Sequence, residues 1–376
     1  MKSKHKIIFS DSRKLTDVKK HSVDLVVTSP PYPMIEMWDD LFTQLNPDIG
    51  AELSMNNGKA AFELMHKELD KVWKELDRVV KPSGFVCINI GDATRTIGKQ
   101  FQLYSNHSRI TTQLSSLSFR PMPLILWRKA TNAPNKFMGS GMLPAGAYVT
   151  LEHEYILIFR KGDKREFSTP TDKETRNKSA LFWEERNIWF SDTWNLAGVR
   201  QSMSNKKLRD RNAAYPFDLP YRLINMYAVK GDTVLDPFIG TGTTLFAAIA
   251  SGRNSIGIEY DKNFSDLIEE GLISVKALSN ETVRKRIKDH SEFVETYRQK
   301  KGDLKYLNES HNFPVVTRQE KLLQLDIVKD IDFKNLSNIS VEYNQLSRDQ
   351  IERNNQWTQT SNKQQKTLYT QGKLLP

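Results

Sequence analysis

Apolar positions along the chain fall into short unbroken runs separated by stretches of helical spacing. Residues 6–11 (Lys-Ile-Ile-Phe-Ser-Asp) predict a short strand ending in a turn at Asp11-Ser12, with a short helix expected between Leu15 and Lys20. Four of the five residues from Val23 to Val27 are apolar, which predicts a buried strand. From Lys59 to Val80 the period changes. Phe62, Met65, Leu69, Val72, Trp73, Leu76 and Val79 recur at spacings of three and four, the single apolar stripe of an amphipathic helix. Lys81-Pro-Ser-Gly84 ends it, and Phe85–Asp92 reads as a second buried strand with Cys87 as a small core residue. Strand, helix and strand in this order make a parallel crossover unit. A helix around Ile110–Leu117 and apolar strands at Pro123–Arg128 and Glu154–Arg160 follow. The rhythm returns with a strand at Val234, a helix from about Thr243 to Ser251, and a strand from Asn254. The pattern predicts an α/β fold, a mostly parallel sheet with helices on both faces.

Three stretches break this rhythm. Residues 33–58 mix Met, Trp, Asn and Pro without a clear period and read as a loop lying over a site. Thr131–Gly146 reads as a second loop. Residues 161–212 interleave Lys and Arg with Phe182, Trp183, Trp189, Phe190 and Trp194. Such a stretch serves either to hold phosphates and stack on bases or to pack as a tryptophan-cored subdomain. After Ser265 the chain turns polar and is expected to be helical, and Asn354–Pro376 has the composition of a loosely ordered tail.

Two punctuation points carry chemistry. At Thr28-Ser29-Pro30-Pro31-Tyr32, consecutive prolines stop the strand, because neither donates a backbone N–H. A hydroxyl, two rigid carbonyls and an aromatic ring are thereby held just past the strand's C-terminal end, the edge at which open α/β sheets bind ligands. Some two hundred residues later, Val234-Leu-Asp-Pro-Phe-Ile-Gly-Thr-Gly-Thr-Thr244 runs strand, glycine-rich turn, helix. Gly240 and Gly242 permit close backbone approach, and the helix start offers unpaired N–H groups. No Lys-Ser/Thr follows the glycines, so this is not a P-loop. Glu259 ends the next strand about 20 residues after the first glycine, where a carboxylate is able to accept both ribose hydroxyls of a nucleoside-bearing cofactor.

Composition narrows the class. The net charge is +10, and between Arg109 and Arg211 there are 18 Lys/Arg against 10 Asp/Glu, so the basic excess is regional and favours a polyanionic partner. One cysteine among 376 residues excludes a disulfide framework and a cysteine-rich zinc site, and the seven histidines show no metal-ligand spacing. No apolar run approaches the ~20 residues of a membrane span. These features imply a soluble protein of a reducing compartment, with no metal.

Together the motifs resemble the S-adenosylmethionine-dependent amino-methyltransferases of DNA, in the permuted order called the beta class. There the catalytic tetrapeptide comes first, the target-recognition region lies in the middle and the cofactor motif comes last. Ser29-Pro30-Pro31-Tyr32 looks like the catalytic motif, and Asp236-Pro237-Phe238-Ile-Gly240-Thr-Gly242, leading to Thr243, like the cofactor loop. Glu259 matches the ribose-binding acid and Asp11 the acid near the adenine. Ala214–Pro220, with Phe217, is similar to the segment closing over the methionine end, although it lacks the usual His-Pro start. The resemblance covers roughly residues 5–265. It implies a circularly permuted Rossmann-like methyltransferase fold divided as 1–160 (catalytic part), 161–212 (target recognition, with help from 131–146), 213–265 (cofactor part) and 266–376 (a polar, mostly helical extension).

The implied reaction passes a methyl group from S-adenosylmethionine to an exocyclic amine of a base flipped out of duplex DNA. Ser29 and the Pro30 carbonyl would accept the amine hydrogens, Tyr32 would stack on the base, and Asp236 would sit near the cofactor's amino group. In this family serine at the first motif position goes more often with cytosine N4 and aspartate with adenine N6, so cytosine is favoured. Carbon-5 methylation needs a Pro-Cys nucleophile, and Cys87 has no such context. The implied setting is a bacterial or archaeal cytoplasmic restriction–modification system with a cognate endonuclease. Competing readings are an RNA or amide methyltransferase, a non-catalytic DNA-binding subunit of the same fold, and a fused nuclease in the tail. Asn before the prolines marks the amide enzymes, and here that position is Ser29. The intact motifs weigh against the non-catalytic subunit. No paired acids followed by lysine support the nuclease.

Overall fold

The computed structural model describes residues 1–129, 138–197 and 215–346. Ten strands of the described residues form one sheet: β1 (Lys2–Phe9), β2 (Val23–Thr28), β3 (Val80–Ile90), β4 (Phe119–Arg128), β5 (His153–Lys161), β6 (Thr193–Trp194), β7 (Thr233–Asp236), β8 (Asn254–Glu259), β9 (Asp326–Asn335) and β10 (Asn338–Gln345). Their order is β6-β4-β5-β3-β2-β7-β8-β1-β10-β9. The five strands from β3 to β1 are mutually parallel. Antiparallel strands flank them, β5 against β3 on one side and β10 against β1 on the other.

Parallel strands are covered on both faces, so they read as continuous apolar runs. In β2 every residue is buried, with Val26 facing one core and Leu25 and Val27 the other. The helices are α1 (Asp39–Leu45), α2 (Pro47–Ser54), α3 (Gly58–Val79), α4 (Asn106–Ser115), α5 (Pro170–Lys178), α6 (Trp183–Trp189), α7 (Asp218–Tyr227), α8 (Thr243–Ser251) and α9 (Ser265–Lys301). The expected stripe of α3 places Met65, Val72, Trp73 and Leu76 in the core shared with Val26, Val86 and Ile88. On the other face Leu223 and Ile224 of α7 and Ala247 and Ala248 of α8 cover Leu25, Val27, Cys87 and Val234. The β2–α3–β3 crossover forms as the spacing predicts.

Four local expectations need correction. Residues 15–20 form turns in place of a helix. Leu15 and Val18 are buried, but the backbone groups around them are taken by side chains of α3. Glu75 accepts from Leu15 N at 2.9 Å, and Arg78 donates to the carbonyls of Leu15 and Val18 at 2.6 and 3.1 Å. Residues 33–58 are not a loop but carry α1 and α2, each too short for a visible period, anchored by the fully buried Phe42 and Ile49.

The described part of 161–212 packs into the main body. Trp189 and Trp194 join the core of Ile125, Trp127 and Leu219. Phe182 is fully buried and stacks on His290 of α9 at 3.9 Å, while Trp183 and Phe190 remain exposed. The buried ion pair of Arg286 with Glu185 ties α6 to α9 at 2.5 and 2.7 Å. Residues 198–212 and 131–137 lie outside the described residues.

Among the described residues after 265, helix gives way to strands beyond Lys301, where a mostly helical extension is expected. Beyond α9, β9 and β10 form a hairpin that extends the main sheet through β1. Ile339, Val341 and Tyr343 alternate with Ser340, Glu342 and Asn344, a strand period hidden by a polar composition. Ile339 and Val341 are fully buried against Ile7 and Leu272. Ile339→Ala is therefore expected to cost about 2–4 kcal/mol of stability, read as a lower urea midpoint. An unchanged midpoint would mean that the hairpin is an accessory to the fold.

Candidate active site

Strands β2, β7, β8 and β1 are neighbours and parallel, so their C-terminal ends stand along one edge. Ser29 follows β2, Pro237 follows β7, Glu259 ends β8 and Asp11 lies just past β1. At the usual strand spacing these four ends cover roughly 14 Å. Above them, walled by α1 and α3, is a cavity of about 450 Å³. Its lining includes Asp11, Ser29, Pro30, Pro31, Pro237, Phe238, Gly240, Thr243 and Glu259, two motifs separated by two hundred residues of chain. Tyr32, Phe217, Asp236 and Gly242 stand outside the lining.

Glu259 accepts from the backbone N–H of Gly240 at 2.8 Å on one oxygen and from that of Asp261 at 2.9 Å on the other. Burial pushes its carboxyl above the usual range, against the pull of these donors. A carboxylate has about four acceptor positions, so room remains for a pair of ligand hydroxyls. Gly240 has φ +52°, and a Cβ there would meet no atom within 4 Å, so its Cα faces the open cavity. Gly242, at φ +90°, starts α8 with no side-chain cap, leaving the first N–H groups of that helix for a ligand. A nucleoside carrying an amino-acid chain fits this set of donors and acceptors.

Asp11 reaches the cavity as expected, but its carboxylate is gripped by Arg13, whose Nε and Nη2 donate to it at 2.9 and 2.7 Å. Burial pushes the Asp11 carboxyl up, and the bonds and charge of Arg13 more than reverse this, leaving it below its ordinary value. Arg13 also donates to Glu68 of α3 at 2.5 Å and to the Leu45 carbonyl of α1 at 3.4 Å. It thus latches two cavity walls to the end of β1, a role with no signature in the sequence beyond its place two residues after Asp11.

Asp236 lies beneath the cavity, 2% exposed. Its Oδ1 accepts from Thr28 Oγ1 at 2.6 Å and from Phe238 N at 3.0 Å, and its Oδ2 from Thr244 Oγ1 at 2.6 Å and Tyr215 Oη at 3.2 Å. Where the expectation sets it near the cofactor's amino group, the structure has both oxygens accepting from protein donors and the residue outside the cavity lining. Burial still pushes its carboxyl above the ordinary value. Phe217 stacks on Tyr221, its ring 5.4 Å away, and its neighbour Tyr215 reaches the cavity in its place.

Tyr32 turns its hydroxyl away from the cavity into a polar cluster. Ser29 Oγ donates to Tyr32 Oη at 3.1 Å, and Tyr32 donates to Glu154 Oε2 of β5 at 2.9 Å. Asn89 of β3 donates to Tyr32 Oη at 2.8 Å and to the same Glu154 oxygen at 2.6 Å, while Lys129 pairs with the other. Burial, then the Glu154 charge, pushes the Tyr32 phenol well above its ordinary range. Asn89, Lys129 and Glu154 were not legible as site residues, because nothing in sequence places the start of β5 beside the end of β3. Cys87 is fully buried, and burial raises its thiol far above the usual range, as suits a core residue. Among the described residues no cluster of three His, Cys, Asp or Glu side chains is placed to hold a metal.

Asp236→Asn would set an amide NH2 against two of the four donors. We expect it to cost about 2–4 kcal/mol of stability, seen as a fall in melting temperature. A variant melting with the wild type would show that the four contacts do not hold the site.

Residues 23–270 match the DNA methylase family of N6 and N4 methyltransferases. The type II methyltransferase M.MthZI of Methanothermobacter thermautotrophicus is 56% identical over 327 residues, covering 86% of this chain and 91% of that protein. M.MjaI of Methanocaldococcus jannaschii, also a type II methyltransferase, is 50% identical over 277 residues, 71% of this chain and 90% of that one. Among solved structures, TTHA0409 of Thermus thermophilus, in complex with S-adenosyl-L-methionine, superposes with a TM-score of 0.56 at 29% identity, covering 72% of this chain and 94% of its own. The chain belongs to the N6/N4 DNA methylase family, enzymes that take their methyl group from S-adenosyl-L-methionine.

Proposed function

We propose that the protein methylates the N4 amine of a cytosine turned out of duplex DNA, within a type II restriction–modification system that includes a cognate endonuclease. One observation carries the reading: Ser29 and Pro30 stand in the wall of the same cavity as Asp11, Gly240 and Glu259. An amine acceptor and a nucleoside pocket therefore share one space. S-adenosylmethionine supplies a methyl group already made electrophilic by its sulfonium. Glu259 would hold the ribose hydroxyls, Asp11 the adenine edge, and Pro237 to Thr243 the rest of the cofactor.

The chain's own part is positioning. An exocyclic amine is a poor nucleophile because its lone pair is delocalised into the ring. With the Ser29 hydroxyl accepting one hydrogen and the Pro30 carbonyl the other, the nitrogen is drawn towards tetrahedral geometry and its lone pair is localised. Proline rigidity on both sides of the Pro30–Pro31 bond keeps that carbonyl from turning away. Holding the amine ~3–3.5 Å from the methyl is the main contribution to rate. Once methylated, the cationic amine loses its proton readily, so Ser29 need not be a strong base.

A target base inside a duplex is out of reach and must leave the stack, and Tyr32, three residues from Ser29 though outside the cavity lining, would offer it a ring face. DNA would lie against the catalytic edge, from which the β4–β5 connection leaves. There Met142, Leu143 and Val149 are 81%, 70% and 84% exposed, apolar groups suited to contact with bases. Serine in place of aspartate at position 29 supports cytosine over adenine.

The test is methyl transfer from labelled cofactor to mixed-sequence duplex DNA followed by nucleoside mass spectrometry, with Ser29→Ala beside the wild type. N4-methylcytosine from the wild type and a loss of about a hundredfold or more in the variant are expected. N6-methyladenine would overturn the base assignment, and label in neither base would overturn the DNA reading. Glu259→Gln, which sets an NH2 group among donors, is expected to weaken cofactor binding about tenfold by titration calorimetry.

A further inference from the structure

To accept an amine hydrogen, Ser29 must present lone pairs to the substrate, yet a free hydroxyl is equally able to present its proton. We propose that Glu154, which belongs to neither sequence motif, fixes the Ser29 hydroxyl as an acceptor by claiming the proton of Tyr32. This inference rests on the reading of Ser29 as the amine acceptor.

The argument is one of donor and acceptor counting. A phenol has one proton to give and two lone-pair directions to receive. Glu154 is a carboxylate that only accepts, so the Tyr32 proton goes to its Oε2, 2.9 Å away. Asn89 fills one receiving direction of Tyr32 from 2.8 Å. The remaining direction takes the proton of Ser29 Oγ at 3.1 Å. The only proton of Ser29 is thereby spent inside the protein, and its free lone pairs are left to the substrate.

Asn89 is held in the required sense by the same carboxylate. Its side-chain nitrogen lies 2.6 Å from Glu154 Oε2, a distance at which the amide oxygen would be repelled. The amide oxygen itself is buried with no partner among the described residues, so the two bonds from the NH2 group fix the orientation. Lys129 anchors the other oxygen of Glu154. Asn89 is 2% exposed, which leaves little water to compete for these groups. Glu154 is accordingly a positioning residue, acting on the substrate through Tyr32 and Ser29.

Tyr32→Phe keeps the ring and removes the intermediary. In Glu154→Gln, the Lys129 ammonium retains the amide oxygen and turns the NH2 towards Tyr32. The phenol proton is then driven towards Ser29, whose own proton points at the substrate. The experiment measures single-turnover methyl transfer to mixed-sequence duplex DNA for both single variants, the double variant and Ser29→Ala, with cofactor affinity and melting temperature for each. Each single variant is expected to slow transfer about tenfold or more, with cofactor affinity within about twofold. The double variant should be no slower than the slower single, because both changes cut one chain.

A Glu154→Gln enzyme as fast as the wild type, beside an inactive Ser29→Ala, would overturn the proposal and leave the role of Ser29 intact. Effects of the two changes that multiply would overturn it as well. Should Glu154→Gln fail to fold, Tyr32→Phe carries the test alone, and an unchanged rate defeats the proposal. A fully active Ser29→Ala would instead overturn the reading on which the proposal stands.

Discussion

The site depends on a buried carboxylate, Asp236, that lies outside the cavity lining. Burying Asp236 is costly unless its oxygens are filled, and the four donors that fill them come from four places in the chain. Thr28 ends the strand that carries Ser29, Phe238 belongs to the glycine-rich turn, Thr244 sits in the first turn of α8, and Tyr215 precedes α7. Thr28 and Asp236 are 208 residues apart in sequence and 2.6 Å apart at their side chains. Any shift of the catalytic turn against the cofactor loop would strip a donor from a buried charge. The carboxylate thus sets the separation between the Ser29 turn and the glycine-rich turn, the quantity on which the proposed methyl transfer depends.

Ser29 lies between two such polar nodes. On one side its backbone follows Thr28 and so is tied to Asp236. On the other its side chain is tied through Tyr32 to Glu154. The first node positions the residue and the second orients its hydroxyl. The prolines that follow add rigidity without adding donors, so the Pro30 carbonyl is not recruited into secondary structure. Asp236 and Glu154, both outside the cavity lining, thus hold in place the groups that the proposed chemistry uses.

The parts of this arrangement that follow from a local pattern were readable in the sequence. The stripe of α3, the apolar run of β2 and the strand–turn–helix around Gly240 are written in periods of 3.6 or in continuous apolar runs, and they form where expected. Ser29, Glu259 and Asp11 come together because each sits at the end of a parallel strand, and the sheet order brings those ends to one edge. What escaped reading depends on contacts between distant elements. Asp236 carries a motif position, but only its surroundings reveal that it faces inward. Glu154 and Asn89 meet because β5 runs antiparallel to β3, a pairing that no spacing announces. Trp189 and Trp194 resemble part of a base-stacking set by composition, yet their burial makes them core, while Trp183 stays exposed. The C-terminal hairpin was hidden in the opposite way, its strand period masked by polar residues on the exposed face.

The most direct test of the central claim, that one cavity holds the nucleoside at Glu259 and presents its methyl group to Ser29, is a crystal structure of the full chain with S-adenosyl-L-methionine. The account predicts ribose hydroxyls bonded to Glu259 and a sulfonium methyl opening towards the Ser29–Pro30 wall, with Asp236 still bound to its four donors. A cofactor lodged outside this cavity, or one whose methyl group points away from Ser29, would contradict it.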